Sequence, residues 1–247
     1  MFGTKHIILL VVCAVYIAVS LIILCKKRVK VINALRILGA IGLVSETLKM
    51  CTYIVINEEK YGGYLPKTDL PFHLCSLQLF FMVIILLTKN EKIKRIVYSF
   101  MMPSCMIGGI AAMLLPTSSA LSIPMITVQY FLYHSSIVIF AVYLALTKEI
   151  RFTVKDYVTS LLVLWALLFL SIYLNSWVND YQNPINFMYV VNPPVEGLPF
   201  LNKNKGWLSY ILRYAATAVL CITLCYLKPI VTALREIFAA KAALAKE

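Results

Sequence analysis

The sequence predicts an all-α, polytopic membrane protein with seven transmembrane helices, its N-terminus outside and its C-terminus cytoplasmic. Three observations lead there. Of 247 residues, 61% are apolar and only 14% charged, with a mean hydropathy of +0.84; a soluble domain is about half apolar and about a quarter charged. The apolar residues fall in runs of about 20, the length a helix needs to cross a hydrocarbon core of about 30 Å. The basic residues gather in alternate connections, as the positive-inside rule requires of a multi-pass chain.

The first run, 7–25, is followed by Cys25-Lys26-Lys27-Arg28 and not by a small-residue cleavage site, so it is expected to remain as a helix. Runs at about 31–56, 70–88, 96–115, 122–147, 154–178 and 207–227 complete seven spans. Residues 1–227 thus form one transmembrane domain, and 228–247 a cytoplasmic tail. The tail closes on an Ala- and Lys-rich stretch, expected to be a solvated helix or a linker with little apolar face.

Sixteen of the 23 Lys and Arg residues fall on one side, including Lys26 to Arg36, Lys89 to Arg95, Lys148 to Lys155 and the tail through Lys246. Five fall on the other side, and Lys49 and Arg213 lie within spans. The net charge of +12 therefore reads as a topology signal and an attraction for anionic lipid on the cytoplasmic face, not as a nucleic-acid surface. Seven cysteines, six of them in or at the rim of apolar runs, show no disulfide or zinc spacing, and no metal or cofactor is expected.

Ionisable groups at membrane depth are costly, and each is a candidate site. Counting from the outer rim at about 1.5 Å per residue, His73 and Cys75 lie shallow on the third span. By the same rise, Glu46 and Lys49 lie roughly 10–15 Å deep on the second, Gln129 and His134 roughly 10–18 Å deep on the fifth, and Arg213 roughly 9 Å into the seventh. All sit in the outer half, with no comparable set in the cytoplasmic half, which points to one polar cavity open to the outside. Structural roles are open to several of them: Glu46 and Lys49, at i,i+3, can neutralise one another, Arg213 can bind a headgroup phosphate or snorkel, and Gln129 and Asn175 can serve as interhelical glue. The last outer loop, 179–206, carries four prolines and the interfacial aromatics Tyr181, Phe187, Tyr189 and Phe200.

The third span opens Asp69-Leu70-Pro71-Phe72-His73-Leu74-Cys75-Ser76. A proline at a helix start is pre-organised, which puts Cys75 in the first turns, where the helix dipole favours a thiolate. On a regular helix His73 and Cys75 diverge by about 200°, so a base from elsewhere is needed. His134 is the only other histidine expected to be buried. A Cys paired with a His distant in sequence is a usual layout for a thiol nucleophile.

Pro71-Phe72-His73-Leu74-Cys75, Tyr133-His134 and Asn183-Pro184-Ile185-Asn186-Phe187-Met188-Tyr189 resemble the YwaF-like family of bacterial integral membrane proteins. That family is similar to eukaryotic transmembrane acyltransferases that remodel ether phospholipids. The likeness covers roughly 5–227, and departs from the pattern at Phe187 and at Val190-Val191. It implies a cofactor-free membrane acyltransferase or transacylase in a bacterial plasma membrane. Cys75 would carry the acyl chain as a thioester, His134 and His73 would be the histidines of the site, and phospholipids the substrates. Glu46, Lys49, Gln129, Asn186, Tyr189 and Arg213 are the candidate substrate-binding residues. A small-molecule transporter or receptor, with the polar cluster as its cavity and Glu46/Lys49 as a coupling pair, is the main alternative.

Overall fold

The computed structural model describes residues 3–56, 58–116, 118–147, 149–179, 184–195, 198 and 200–244; Lys148, Tyr181, Asn183 and Lys246 lie outside them. Seven helices follow the seven apolar runs: α1 (Thr4–Lys26), α2 (Val31–Cys51), α3 (Leu74–Leu87), α4 (Glu91–Leu114), α5 (Pro124–Leu146), α6 (Val154–Val178) and α7 (Gly206–Cys225). Six are long and apolar enough to cross a membrane, and the chain is a multi-pass membrane protein. The exception is α3, with 14 residues. Its start is later than the sequence suggests, because Pro71 disfavours helix for the residue before it and 71–73 form a turn. Pro71 therefore precedes the N-cap, His73, and is not the first helical residue.

α5 is the central element, packed by α1, α2 and α4, while α4 also carries α3, α6 and α7. Two glycines permit the closest approaches. A Cβ on Gly109 would come within 2.9 Å of the His134 carbonyl, and one on Gly42 within 2.7 Å of Leu79 and 3.0 Å of the Tyr133 ring. Small residues at such crossings are how membrane helices gain packing contact where no hydrophobic force drives them together. The outward faces of α1, α3, α6 and α7 are apolar and exposed, as at Val12, Leu87, Phe169 and Leu220.

The end of the bundle bearing the basic connections, here the basic end, is closed by paired polar groups. Arg95 donates to both Asp156 carboxylate oxygens at 2.7 Å and to the Arg151 carbonyl. Asp156 in turn accepts the Thr153 amide and hydroxyl as a capping box. Pro103 lacks the N–H that would bond the carbonyl of Ser99 four residues back; the buried Tyr226 hydroxyl fills it at 2.7 Å. The sequence alone predicts no polar set at this end comparable to the one at the other, and the Thr153-x-x-Asp156 spacing is the signal of this one.

Two further expectations change. His6 is buried on α1 at 2% exposure and its Nε2–H donates to the Met113 carbonyl at 2.8 Å, so His134 is not alone in the core with His73. The tail forms α8 (Leu227–Leu244), and it does carry an apolar stripe: Leu227, Ile230, Leu234, Ile237 and Phe238 recur at helical spacing, with Leu234, Ile237 and Phe238 exposed.

Candidate functional site

The opposite end, the site end, gathers the reactive side chains around the start of α3. His73 is the N-cap in an extended conformation (φ −73°, ψ 151°), so Leu74, Cys75 and Ser76 form the first helical turn. The first intrahelical bond runs from the Leu77 amide to the His73 carbonyl at 3.0 Å; amides earlier in a helix have no intrahelical acceptor. From α5, the Tyr133 hydroxyl donates to the Cys75 carbonyl at 2.5 Å, which locks the turn against the central helix.

His134 follows Tyr133 on α5 and is 3% exposed. Its Nδ1 lies 2.7 Å from the Tyr130 carbonyl. A carbonyl can only accept, so Nδ1 carries the proton and Nε2 carries the lone pair. Tyr130 also flanks the imidazole, with ring centroids 4.2 Å apart. The same reasoning applies to His73, whose Nε2–H donates to the Thr68 carbonyl at 3.2 Å, leaving Nδ1 as the acceptor. Being non-helical, His73 is not subject to the 200° divergence from Cys75 that a continuous helix would impose. Its ring packs edge-on to Phe187 at 5.5 Å and against Tyr189 at 5.6 Å.

Lys49 is the cation of this region. Its Nζ lies 2.6 Å from Glu46 and donates to the Asp69 carbonyl at 3.3 Å, tying α2 to the connection that precedes α3. Its charge acts on Asp69, His73, Cys75 and His134 together. Burial pushes the Asp69 carboxyl above its ordinary range, against the pull of Lys49 and of the Thr68 hydroxyl. Just beyond Lys49, α2 ends in a π-helical turn, Thr52–Ile56, a departure from α geometry often found at functional sites.

The connection between α6 and α7 packs on the His73 ring and is pinned from α6. Asn175 donates to the Phe187 carbonyl at 3.0 Å and accepts its amide at 2.7 Å, and the Ser171 hydroxyl donates to the same carbonyl. From α7, Tyr210 and Tyr214 donate to the Tyr189 and Met188 carbonyls. Met188 and Tyr189 are held at φ of 53° and 56°, a left-handed conformation that costs a non-glycine residue free energy and is a recurrent mark of functional segments.

Of the sequence-derived residues, Cys75, His73, Glu46, Lys49 and Tyr189 border the start of α3, and His134 lies beside Tyr133, whose hydroxyl reaches the Cys75 carbonyl. Gln129 lies one turn N-terminal to Tyr133 on the same face of α5, buried, with its carbonyl accepting the Ser45 hydroxyl at 3.0 Å. Asn186 is a brace within the loop, its side chain bonded to the backbone of Val191 and Asn192. Arg213 is spent on backbone as well, donating to the carbonyls of Ser209, Phe200 and Asn202. Tyr130 and Ser76 have no role in the sequence-based expectation, Asn175 enters it as glue, and Tyr133 only within the family motif. The i,i+4 pairing of Tyr130 with His134 was the available signal. Among the described residues no group of three or more His, Cys, Asp or Glu side chains is arranged to hold a metal ion.

Residues 1–227 match the TMEM164 family of transmembrane proteins, and the chain belongs to it. No curated protein and no solved structure matches the chain.

Proposed function

We propose that this member of the TMEM164 family is a membrane acyltransferase or transacylase. It moves an acyl chain from a phospholipid to a lysolipid or lipid-linked acceptor at the outer leaflet, through a thioester on Cys75. The observation that carries this reading is the Cys75 turn, N-capped by His73 and bonded through its carbonyl to Tyr133, the neighbour of His134 on α5, with both histidine tautomers set by backbone carbonyls. The resemblance to the YwaF-like family, and through it to the ether-phospholipid acyltransferases, selects the same three residues and a bacterial plasma membrane. The Glu46–Lys49 pair closes on itself and on the Asp69 carbonyl, which favours a fixed electrostatic support over the coupling pair of a transporter.

In the first half-reaction His134 Nε2 takes the Cys75 proton, and the sulfur attacks the ester carbonyl carbon. The tetrahedral oxyanion faces the unpaired amides of the first turn of α3. Its collapse breaks the ester C–O bond, and the leaving lysolipid oxygen recovers the proton from the imidazolium. In the second half, an acceptor hydroxyl gives its proton to Nε2 and attacks the thioester carbon. The C–S bond breaks and the thiolate regains the proton. Dividing the transfer into two steps of modest barrier is the usual advantage of a covalent intermediate, and protons balance without a cofactor. His73 holds the Phe187–Tyr189 segment over the thiol and is the alternative base.

The topology belongs to the same proposal. α3 makes a seventh crossing: 14 residues span about 21 Å, and the half-buried coil at 70–73, whose Phe72 and His73 pack on Phe187 and Tyr189 of the loop, supplies the rest, which non-helical backbone can do where protein lies against it. The site end then faces outward and the basic end inward, where its Lys and Arg meet anionic lipid. Single cysteines at Asn202 and Arg235 in a Cys-free background should react with an impermeant maleimide in intact cells at Asn202 only; reaction at Arg235 alone would invert the assignment. For the chemistry, purified protein in nanodiscs is incubated with a phospholipid bearing a labelled acyl chain, acceptor withheld. A hydroxylamine-labile, acyl-sized mass increment mapping to Cys75 supports the reading, and an adduct-free protein under these conditions rejects it.

A further inference from the structure

A cleft of about 330 Å³ opens sideways beneath the outer loop, walled by Phe72, Leu77 and Phe80 on one side, Leu167 and Leu170 on the other, and roofed by Met188. It exists because α3 packs on α2 and α4 while α6 packs on α4 and α7, so that α3 and α6 hardly touch. The one hydroxyl in its wall, Ser171, is turned away to the Phe187 carbonyl at 2.8 Å, which leaves the lining apolar. Its lips, Phe80 and Leu170, are about half exposed and continuous with the lipid-facing belt.

We infer that this α3–α6 cleft seats the acyl chain that is to be transferred, belonging to a lipid of the outer leaflet; the inference rests on the acyl-transfer reading above. Leu77 and Cys75 diverge by about 200° around α3, so cleft and thiol occupy opposite flanks of one helix start. They communicate over its end: Phe72 in the cleft wall packs against Phe187 at 5.3 Å, and Met188 in the roof adjoins Tyr189, whose ring meets His73. An ester lying across the helix start has its chain directed into the cleft and its carbonyl presented to the thiol and the free amides. Along α6 the wall from Leu167 to Leu174 extends about 10 Å, so the cleft holds the part of the chain nearest the ester. A chain already in lipid gains no hydrophobic free energy by entering an apolar cleft. What the cleft supplies is position, and misplacement of a reacting group by about 1 Å can cost about 10²-fold in rate.

The test uses phosphatidylcholine carrying a diazirine near the ester end of one acyl chain, in nanodiscs with the full chain. Photolabelling should concentrate at Phe80, Leu167 and Leu170, above the level at Leu162 and Leu220, two residues exposed on the lipid belt, and Leu170→Trp should remove the excess. Labelling no higher in the cleft than at Leu162 and Leu220 means annular lipid only and overturns the inference. Leu170→Trp should also lower transfer of long chains by about 10- to 100-fold; Leu167→Phe serves as the smaller obstruction if the tryptophan variant does not fold. Full long-chain transfer by both folded variants counts equally against the cleft. Because cleft labelling is read in Cys75→Ser as well, failure of the cleft is separable from failure of the thioester mechanism, which would appear as an unacylated Cys75 with every donor.

Discussion

The two ends of the bundle handle buried polarity in opposite ways. At the basic end most polar groups complete one another: Arg95 and Asp156 form a two-pronged pair closed by the Arg151 carbonyl and the Thr153 cap, Tyr226 fills the acceptor that Pro103 orphans, and Glu149 accepts the first amide of α2 at 2.9 Å. The exception is the buried Ser160 hydroxyl, one turn beyond Asp156, which has no partner among the described residues. At the site end capacity is left over. His134 and His73 each commit one ring nitrogen to a carbonyl and, among the described residues, nothing to the other. The loop beside the cluster is held in a strained conformation by Asn175, Tyr210 and Tyr214. Closed polar networks stabilise a fold, whereas retained capacity and strain mark the places where a sequence departs from stability for function.

If this contrast is right, changes at the two ends should separate activity from stability. His134→Ala should lower acyl transfer by about 10²–10⁴-fold, the usual worth of a positioned proton acceptor, with little change in thermal midpoint; equal loss of both would place His134 with the closing groups. Arg95→Met should do the reverse. It strands the buried Asp156 carboxylate and should cost about 2–3 kcal/mol of stability, toward the lower end for a broken buried pair because the Arg95 side chain is 46% exposed, while turnover per folded molecule is retained. Tyr226→Phe, which returns the Ser99 carbonyl to its unpaired state, should cost about 1–2 kcal/mol, read as a lower midpoint in detergent.

The smallest effect tests the one pair that lies between the two categories. Glu46 and Lys49 neutralise each other and yet sit in the reactive cluster. Lys49→Met alone should lower folded yield more than Glu46→Gln/Lys49→Met together, by about 1 kcal/mol of coupling. Equal losses in the single and double variants would mean that the two residues do not act as a pair.

Much of this was legible in the sequence because membranes impose simple rules. Run lengths located α1 to α7, and the basic clusters distinguished the two ends. The start of α3 was misplaced by several residues, since a proline signals a helix boundary without saying on which side of it the helix begins. Cys75, His73, His134 and the Glu46–Lys49 pair were legible because an ionisable or nucleophilic group among apolar neighbours stands out. Arg213 and Asn186 were misleading for the same reason: their partners are loop carbonyls, and carbonyls are present at every position of a sequence and marked at none. Tyr133 and Tyr226 were hidden because an aromatic in a membrane span reads as core until its hydroxyl is seen to end on a particular backbone oxygen. The tail was read from its Ala-rich end, which concealed the apolar stripe of residues 227–238.

Cys75 is the residue on which the acyl-transfer mechanism turns, and the most direct measurement compares wild type with Cys75→Ser for transfer of a labelled acyl chain from phospholipid to lysophospholipid by purified protein in nanodiscs. Exchanging sulfur for oxygen at a half-buried site leaves almost no cavity, so the variant should fold in near wild-type yield. Transfer and the hydroxylamine-labile adduct should both vanish in it, while Cys13, Cys25, Cys51, Cys105, Cys221 and Cys225 each tolerate Ala with transfer intact. Full turnover by folded Cys75→Ser would contradict the thioester mechanism and return the site-end cluster to a binding or transport role.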